Sequence, residues 1–134
     1  MSHSPQKLSE KVVSGGEKRL LGRWGEMVVA EDLRRRGFTV TAAGYRCRFG
    51  EIDLIVQDST YLVFVEVKLR KSAAFAPACA AVDSRKQQRL RTTAQVYLAG
   101  HPTALQPRFD VAEVYAPNGA ATPRPEIRYI ENAF

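Results

Sequence analysis

Three ionisable side chains fall on two neighbouring stretches of strand-like pattern: Asp53 in Gly50-Glu-Ile-Asp-Leu-Ile55, and Glu66 with Lys68 in Val65-Glu-Val-Lys68. Side chains two apart on a strand share a face, so Glu66 and Lys68 point the same way. Between the stretches, Gln57-Asp58-Ser59-Thr60 reads as a hairpin turn. A two-residue loop at Ser59-Thr60 would set Asp53 directly opposite Glu66, and a four-residue loop would set it diagonal. Either even length gathers all three on one face, whereas an odd length without a bulge would separate them.

Two carboxylates and an ammonium on a largely apolar sheet are costly to desolvate, and a hard divalent cation would offset that cost. Asp53 and Glu66 would give Mg²⁺ two oxygen ligands and the Val67 carbonyl a third, with waters and a phosphate oxygen completing an octahedron and Mn²⁺ as a substitute. Such an ion would lower the pKa of a bound water and neutralise charge developing on phosphorus oxygens, while Lys68 orients the nucleophile or stabilises that charge. The competing reading of Glu66-x-Lys68 is a structural ion pair at a strand end. A further acid, Glu26, lies on a helical wheel among Gly22, Val29, Ala30 and Leu33, the face expected to pack on the sheet. It would extend the metal site directly or through water, or else pair with an arginine. Glu51 shares the face of Asp53 if the strand is already regular there, but the ragged start at Gly50-Glu51 favours Glu26.

The elements that must position these groups follow from periodicity and punctuation. Residues 1–16 lack a sustained period and read as a flexible N-terminal segment, leaving 17–134 as a single domain. A helical pattern runs from Glu17 to Arg36 and ends at Gly37, with Arg34, Arg35 and Arg36 suited to its negative end. Strands are expected at 38–43, 51–56 and 61–69, and the last, apolar on both faces until Glu66, should be central. The Ala-rich stretch 71–82 is a candidate mobile loop. Asp83 would cap a second helix over 84–99, closed by Gly100, with Leu90, Ala94, Tyr97 and Leu98 inward. Strands at 108–115 and 126–130 complete an α/β fold with a central mixed five-stranded sheet flanked by helices, in the order αβββαββ.

Composition agrees. The chain has 134 residues with 20 Lys plus Arg against 14 Asp plus Glu, a formal charge of +6. A basic surplus on one small domain favours a polyanionic partner such as nucleic acid. No apolar run is long enough for a membrane span and the first twenty residues hold no signal-like block, so the expected location is the cytoplasm. Cys47 and Cys79 lack a second ligand at metal spacing and read as free thiols.

The string Gly22-x-x-Gly25-Glu26-x-x-x-Ala30-x-x-Leu33-x-x-x-Gly37-Phe38, then Tyr45-Arg46-x-x-x-Gly50-Glu51-Ile52-Asp53, then Leu62-Val63-Phe64-Val65-Glu66-Val67-Lys68-x-Arg70, resembles the YraN family of bacterial proteins. Further matches are Phe75, Pro77, Lys86, Arg89-Leu90, Arg108-Phe109-Asp110-Val111 and Asn132-Ala133-Phe134. That family is similar to the restriction-endonuclease-like PD-(D/E)xK superfamily and to archaeal Holliday junction resolvases. The resemblance implies a metal-dependent nuclease fold with Asp53, Glu66 and Lys68 at the motif positions and Glu26 as the helix acid. It also implies a possible homodimer, as in resolvases. Two positions depart from the family pattern: Gly44 stands where Asn is frequent, and Ala76 where Gly is usual.

Arg46 and Arg48 precede the Asp53 strand, Arg70 and Lys71 leave the Lys68 strand, and Lys86 and Arg89 lie one turn apart on the second helix, so these six are candidate phosphate contacts. For Trp24 and Tyr45, core packing outweighs base stacking. The functional expectation is Mg²⁺-dependent hydrolysis of nucleic acid, DNA favoured, branched or single-stranded. The alternative is a nuclease-like module that binds nucleic acid or a protein without cutting.

Overall fold

A computed structural model describes residues 15–71 and 82–134. The first helix, α1, spans Gly15–Arg35 and so takes in the two glycines expected to precede it. It stops where Gly37 adopts φ +98°, letting Gly37 N–H reach the Arg34 carbonyl and Phe38 N–H the Leu33 carbonyl, both at 3.0 Å. This paired closure satisfies carbonyls the helix leaves open. Strands β1 (Thr39–Cys47), β2 (Gly50–Gln57) and β3 (Tyr61–Arg70) follow, then helix α2 (Ser84–Gly100), strand β4 (Gln106–Tyr115), a short 3₁₀ turn at Gly119–Ala121 and strand β5 (Glu126–Ile130). The Asp83 side chain caps α2 by accepting from the Lys86 N–H at 2.9 Å. Gly100 does not terminate α2 by leaving it. It is the last helical residue, and His101 ends the helix at φ −137° with its N–H on the Leu98 carbonyl. The expected segment 1–16 falls outside the described residues up to position 14, as does most of the Ala-rich stretch.

The five strands form one sheet in the order β1-β2-β3-β4-β5, with β3 central. Three pairings are antiparallel, and β3 runs parallel to β4 across the α2 connection. The α/β architecture, the mixed sheet and the order αβββαββ are those expected from the sequence. The Asp58 carboxylate accepts from both Thr60 and Tyr61 N–H, at 2.8 and 2.7 Å, which shapes the two-residue version of the β2–β3 turn. Leu54 accordingly pairs with Val65, and the same register carried one step further sets Asp53 opposite Glu66.

Each face of the sheet buries its own core. Val29, Ala30 and Leu33 of α1 cover Leu54, Val56, Val63, Val65, Ala112 and Val114. Leu90, Ala94 and Tyr97 of α2 cover Ile52, Ile55, Leu62, Phe64 and Val111. Tyr45 packs edge-on against Tyr97 at 5.1 Å, and Trp24 packs into the α1 side, so both aromatics serve the core. Leu98, expected inward, only flanks it.

One irregularity matters for the site. Ile52 and Leu54 are two apart yet belong to opposite cores, so β2 turns over between them, where a regular strand would keep both on one face. Across from this turnover, between the pairs Ala43–Leu54 and Tyr45–Ile52, stands Gly44 at φ +69°. Glycine adopts that conformation freely and Asn is the side chain that tolerates it best, so the Gly44 departure keeps the backbone the position requires. Asp53 sits at the turnover itself.

Candidate metal centre

Asp53 is the hub because the turnover leaves it reachable from both faces. Its Oδ2 accepts the Val67 N–H at 2.8 Å, so its side chain bridges β2 and β3 just beyond the Leu54–Val65 pair. Val67 thus meets Asp53 through its amide. From the α1 side comes Glu26, a carboxylate oxygen of which lies within 4.8 Å of one of Asp53. Gly25 makes that approach possible: a Cβ there would meet Leu69 Cδ2 at 3.1 Å, so α1 lies close on β3. Glu51, two residues before Asp53, completes a set whose carboxylate oxygens lie within 4.8 Å of one another: Glu26, Glu51 and Asp53. The ragged strand start that favoured Glu26 over Glu51 is not found, because β2 already pairs with β1 at Gly50 and Glu51. The structure brings both acids in.

Glu66 approaches from the other side, lining one small pocket with Asp53, and is only 6% exposed. It also holds two cations, Lys68 Nζ at 3.5 Å and Lys86 Nζ in a closer contact. Burial and the neighbouring Glu66 and Glu26 charges push the Asp53 carboxyl up to about 8, against the opposing hydrogen bond from Val67. Glu26 is also raised, by burial first and then by Glu51. Lys68 is lowered, by burial and by Lys86 beside it. For Lys86, burial works against the charge, but the Glu66 and Lys68 contacts prevail and raise it. Carboxyls that crowd together at the expense of their own ionisation, joined by a main-chain donor and edged by ammonium groups, form a donor set suited to a hard cation.

The other candidate residues separate into two groups. Lys86, expected only as a phosphate contact on α2, is an ion-pair partner of Glu66 within the centre. Arg89 lines the small pocket, about 230 Å³, that it shares with Glu51, Asp53, Glu66 and Lys86. Arg46, 74% exposed, reaches Glu51 at 3.3 Å and so touches the acidic set from outside. Arg48 lies over the Phe49 ring at 4.7 Å, and Lys71 is exposed just after β3. Arg70 is different: its Nε donates to Glu113 Oε2 at 2.7 Å, and Glu113 is 2% exposed and also accepts from the Tyr115 hydroxyl at 2.6 Å. This pair lies on the same face of the sheet as Glu66 and Lys68 and props the end of β3. A second buried pair, Arg108 to Asp110 at 2.8 Å, ties β4 to the Asn132 N–H.

Comparison with known proteins gives the family. The profile described as "Uncharacterised protein family UPF0102" matches residues 25–114, which holds every carboxylate of the centre. A UPF0102 protein of Methylococcus capsulatus is 43% identical over 122 residues, covering 91% of this chain and 96% of the relative. UPF0102 proteins of Nitrosomonas europaea and of Caldanaerobacter subterraneus subsp. tengcongensis are each 40% identical, over 90% and 87% of this chain and 96% of the relative in both cases. No described helix is long and apolar enough to cross a membrane. The family resemblance read from the Gly25-Glu26, Glu51-Ile-Asp53 and Glu66-Val-Lys68 motifs is therefore correct, and the chain belongs to the UPF0102 (YraN) family.

Proposed function

We propose that this protein is a metal-dependent phosphodiesterase acting on nucleic acid, DNA in preference to RNA, with Mg²⁺ as the ion and Mn²⁺ as a substitute. The observation that carries the reading is the convergence of Glu26, Glu51 and Asp53 to within 4.8 Å at a break in the sheet, with Glu66, Lys68 and Lys86 beside them. Glu26, Glu51 and Asp53 would hold the ion, which supplies an activated water and neutralises charge on the phosphate. The chain's own groups do the rest. Asp53 is fixed by the Val67 N–H, so its ligand oxygens are oriented before substrate arrives. Glu66 holds Lys68 at the edge of the acids, placing an ammonium where a phosphate oxygen gains charge. The αβββαββ order around a mixed sheet supports the restriction-endonuclease-like reading.

The experiment is cleavage of labelled single-stranded, flap and junction DNA and of RNA, in Mg²⁺, Mn²⁺ or chelator. Cutting should require the ion and fall by at least about a hundredfold in Asp53→Asn and Lys68→Ala, the loss expected when one stabilising group is removed. Cutting that survives either substitution overturns the assignment. Binding without cutting in any metal assigns the protein instead to a non-catalytic module.

A further inference from the structure

A groove of about 910 Å³ lies between α1 and the β1–β2 ribbon, and the acidic centre opens into it through Glu26, Glu51 and Asp53. Its walls also carry Arg19, Arg23 and Arg34, none of which the motifs single out. At about 100° per residue, Arg19, Arg23, Glu26 and Arg34 fall within one stripe of α1. All three arginines are exposed, and Arg23 lies close enough to Glu26 to favour its ionised form. The stripe is about 22 Å long at 1.5 Å per residue, and Glu26 sits near its middle. Positive charge therefore flanks the acids on both sides along a single groove.

We infer that this groove is the track of a single polynucleotide strand, with Arg19 and Arg23 holding phosphates on one side of the acidic centre and Arg34 on the other. The inference rests on the nuclease reading and adds the form of the substrate. Glu26, Glu51 and Asp53 line this groove, so a backbone laid along it passes the acids, and walls made of one helix and one two-stranded ribbon suit a single strand better than a duplex. A backbone-tracking groove of arginines is the electrostatic half of a single-strand site. Among the described residues the other half, aromatic stacking, is missing from its lining, where Met27, 52% exposed, is the one large exposed apolar side chain. Recognition is then independent of base sequence. Cations on both sides of the acids grip phosphates 5′ and 3′ of the reacting one, so an internal bond is presented and a free chain end is not needed.

The test uses the full chain with Asp53→Asn as a cutting-silent background, in chelator, and reads the fluorescence anisotropy of labelled single-stranded and duplex 20-mers across a salt series. We expect tighter binding of the single strand. Adding Arg19→Ala, Arg23→Ala and Arg34→Ala together should weaken it at least tenfold and flatten the log K against log salt slope by about 2, at about 0.7 per lost phosphate contact. The exposed Arg128→Ala on β5 should change neither, and circular dichroism should show each variant folded. Unchanged affinity and slope in the triple variant overturn the inference, and if the wild type still cuts in Mg²⁺ the nuclease reading stands without it. Failure of the background protein to bind any polynucleotide overturns the inference, and absence of cutting by the wild type in both Mg²⁺ and Mn²⁺ overturns the nuclease reading with it. In Mg²⁺ the wild type should also linearise circular single-stranded DNA, which has no ends; activity on linear strands alone contradicts the internal presentation.

Discussion

Asp53 carries the strain of the centre, and its ionisation gives that strain a pH signature. Its carboxyl is pushed up to about 8 in the folded protein, above the ordinary value of 3.8 that applies when unfolded. Between these values the native state holds a proton that the unfolded state has released, so stability of the metal-free protein falls as pH rises through this window. Glu26, raised in the same direction, adds to the slope. In Asp53→Asn the amide keeps an acceptor for the Val67 N–H without the charge, so urea midpoints in chelator should decline less from pH 5 to pH 8 than in the wild type, and at pH 8 the variant should be the more stable. A wild-type midpoint that rises over that range contradicts the account. Arg70 makes a contrasting case. Removing it would leave Glu113 buried without its ion-pair partner and with the Tyr115 hydroxyl as its remaining hydrogen bond among the described residues, so Arg70→Ala should cost about 3 kcal/mol in denaturant titrations, the order expected for an orphaned buried charge. If Arg70→Ala keeps full stability and loses only nucleic-acid affinity, the residue is a phosphate contact after all.

At the scale of elements, the site exists because β2 turns over at Asp53 and β1 turns with it. Gly44 at φ +69° is the adaptation in β1, so Gly44→Val should cost about 1–2 kcal/mol or more, while Gly44→Asn should be nearly neutral in the same denaturation assay. Equal effects of the two substitutions would show that the left-handed backbone at Gly44 is dispensable. The pairing of β2 with β3 was legible in the sequence to within two registers, and the Asp58 side chain, which folds back onto Thr60 and Tyr61, selects one of them. Element order, the central place of β3 and the one-sided helices were legible because each core face follows a local period. The contacts of Lys86 and Arg70 were not. Lys86 meets Glu66 only once α2 docks on the sheet, and Arg70 meets Glu113 only through the parallel register of β3 with β4, both long-range consequences of packing. Glu51 was visible by its spacing from Asp53, and only the exact start of β2 stood against it.

Across the whole molecule, a formal charge of +6 is divided unevenly. Glu26, Glu51, Asp53 and Glu66 gather at one break in the sheet, and Asp110 and Glu113 are spent in buried pairs, while the α1 arginines and Arg46, Arg48 and Arg89 stay exposed around the centre. A cation at the acids would turn that point positive as well, so the groove would present one sign of charge along its length to a polyanion. The proposed function, unlike the fold and the groove, depends on the acids being a metal site. The most direct measurement is an anomalous difference map from crystals soaked in Mn²⁺, for wild type and Asp53→Asn. The account predicts a peak bound by Glu26, Glu51 and Asp53 in the wild type, lost or much weakened in the variant; no peak at millimolar Mn²⁺, or one elsewhere on the surface, would contradict it.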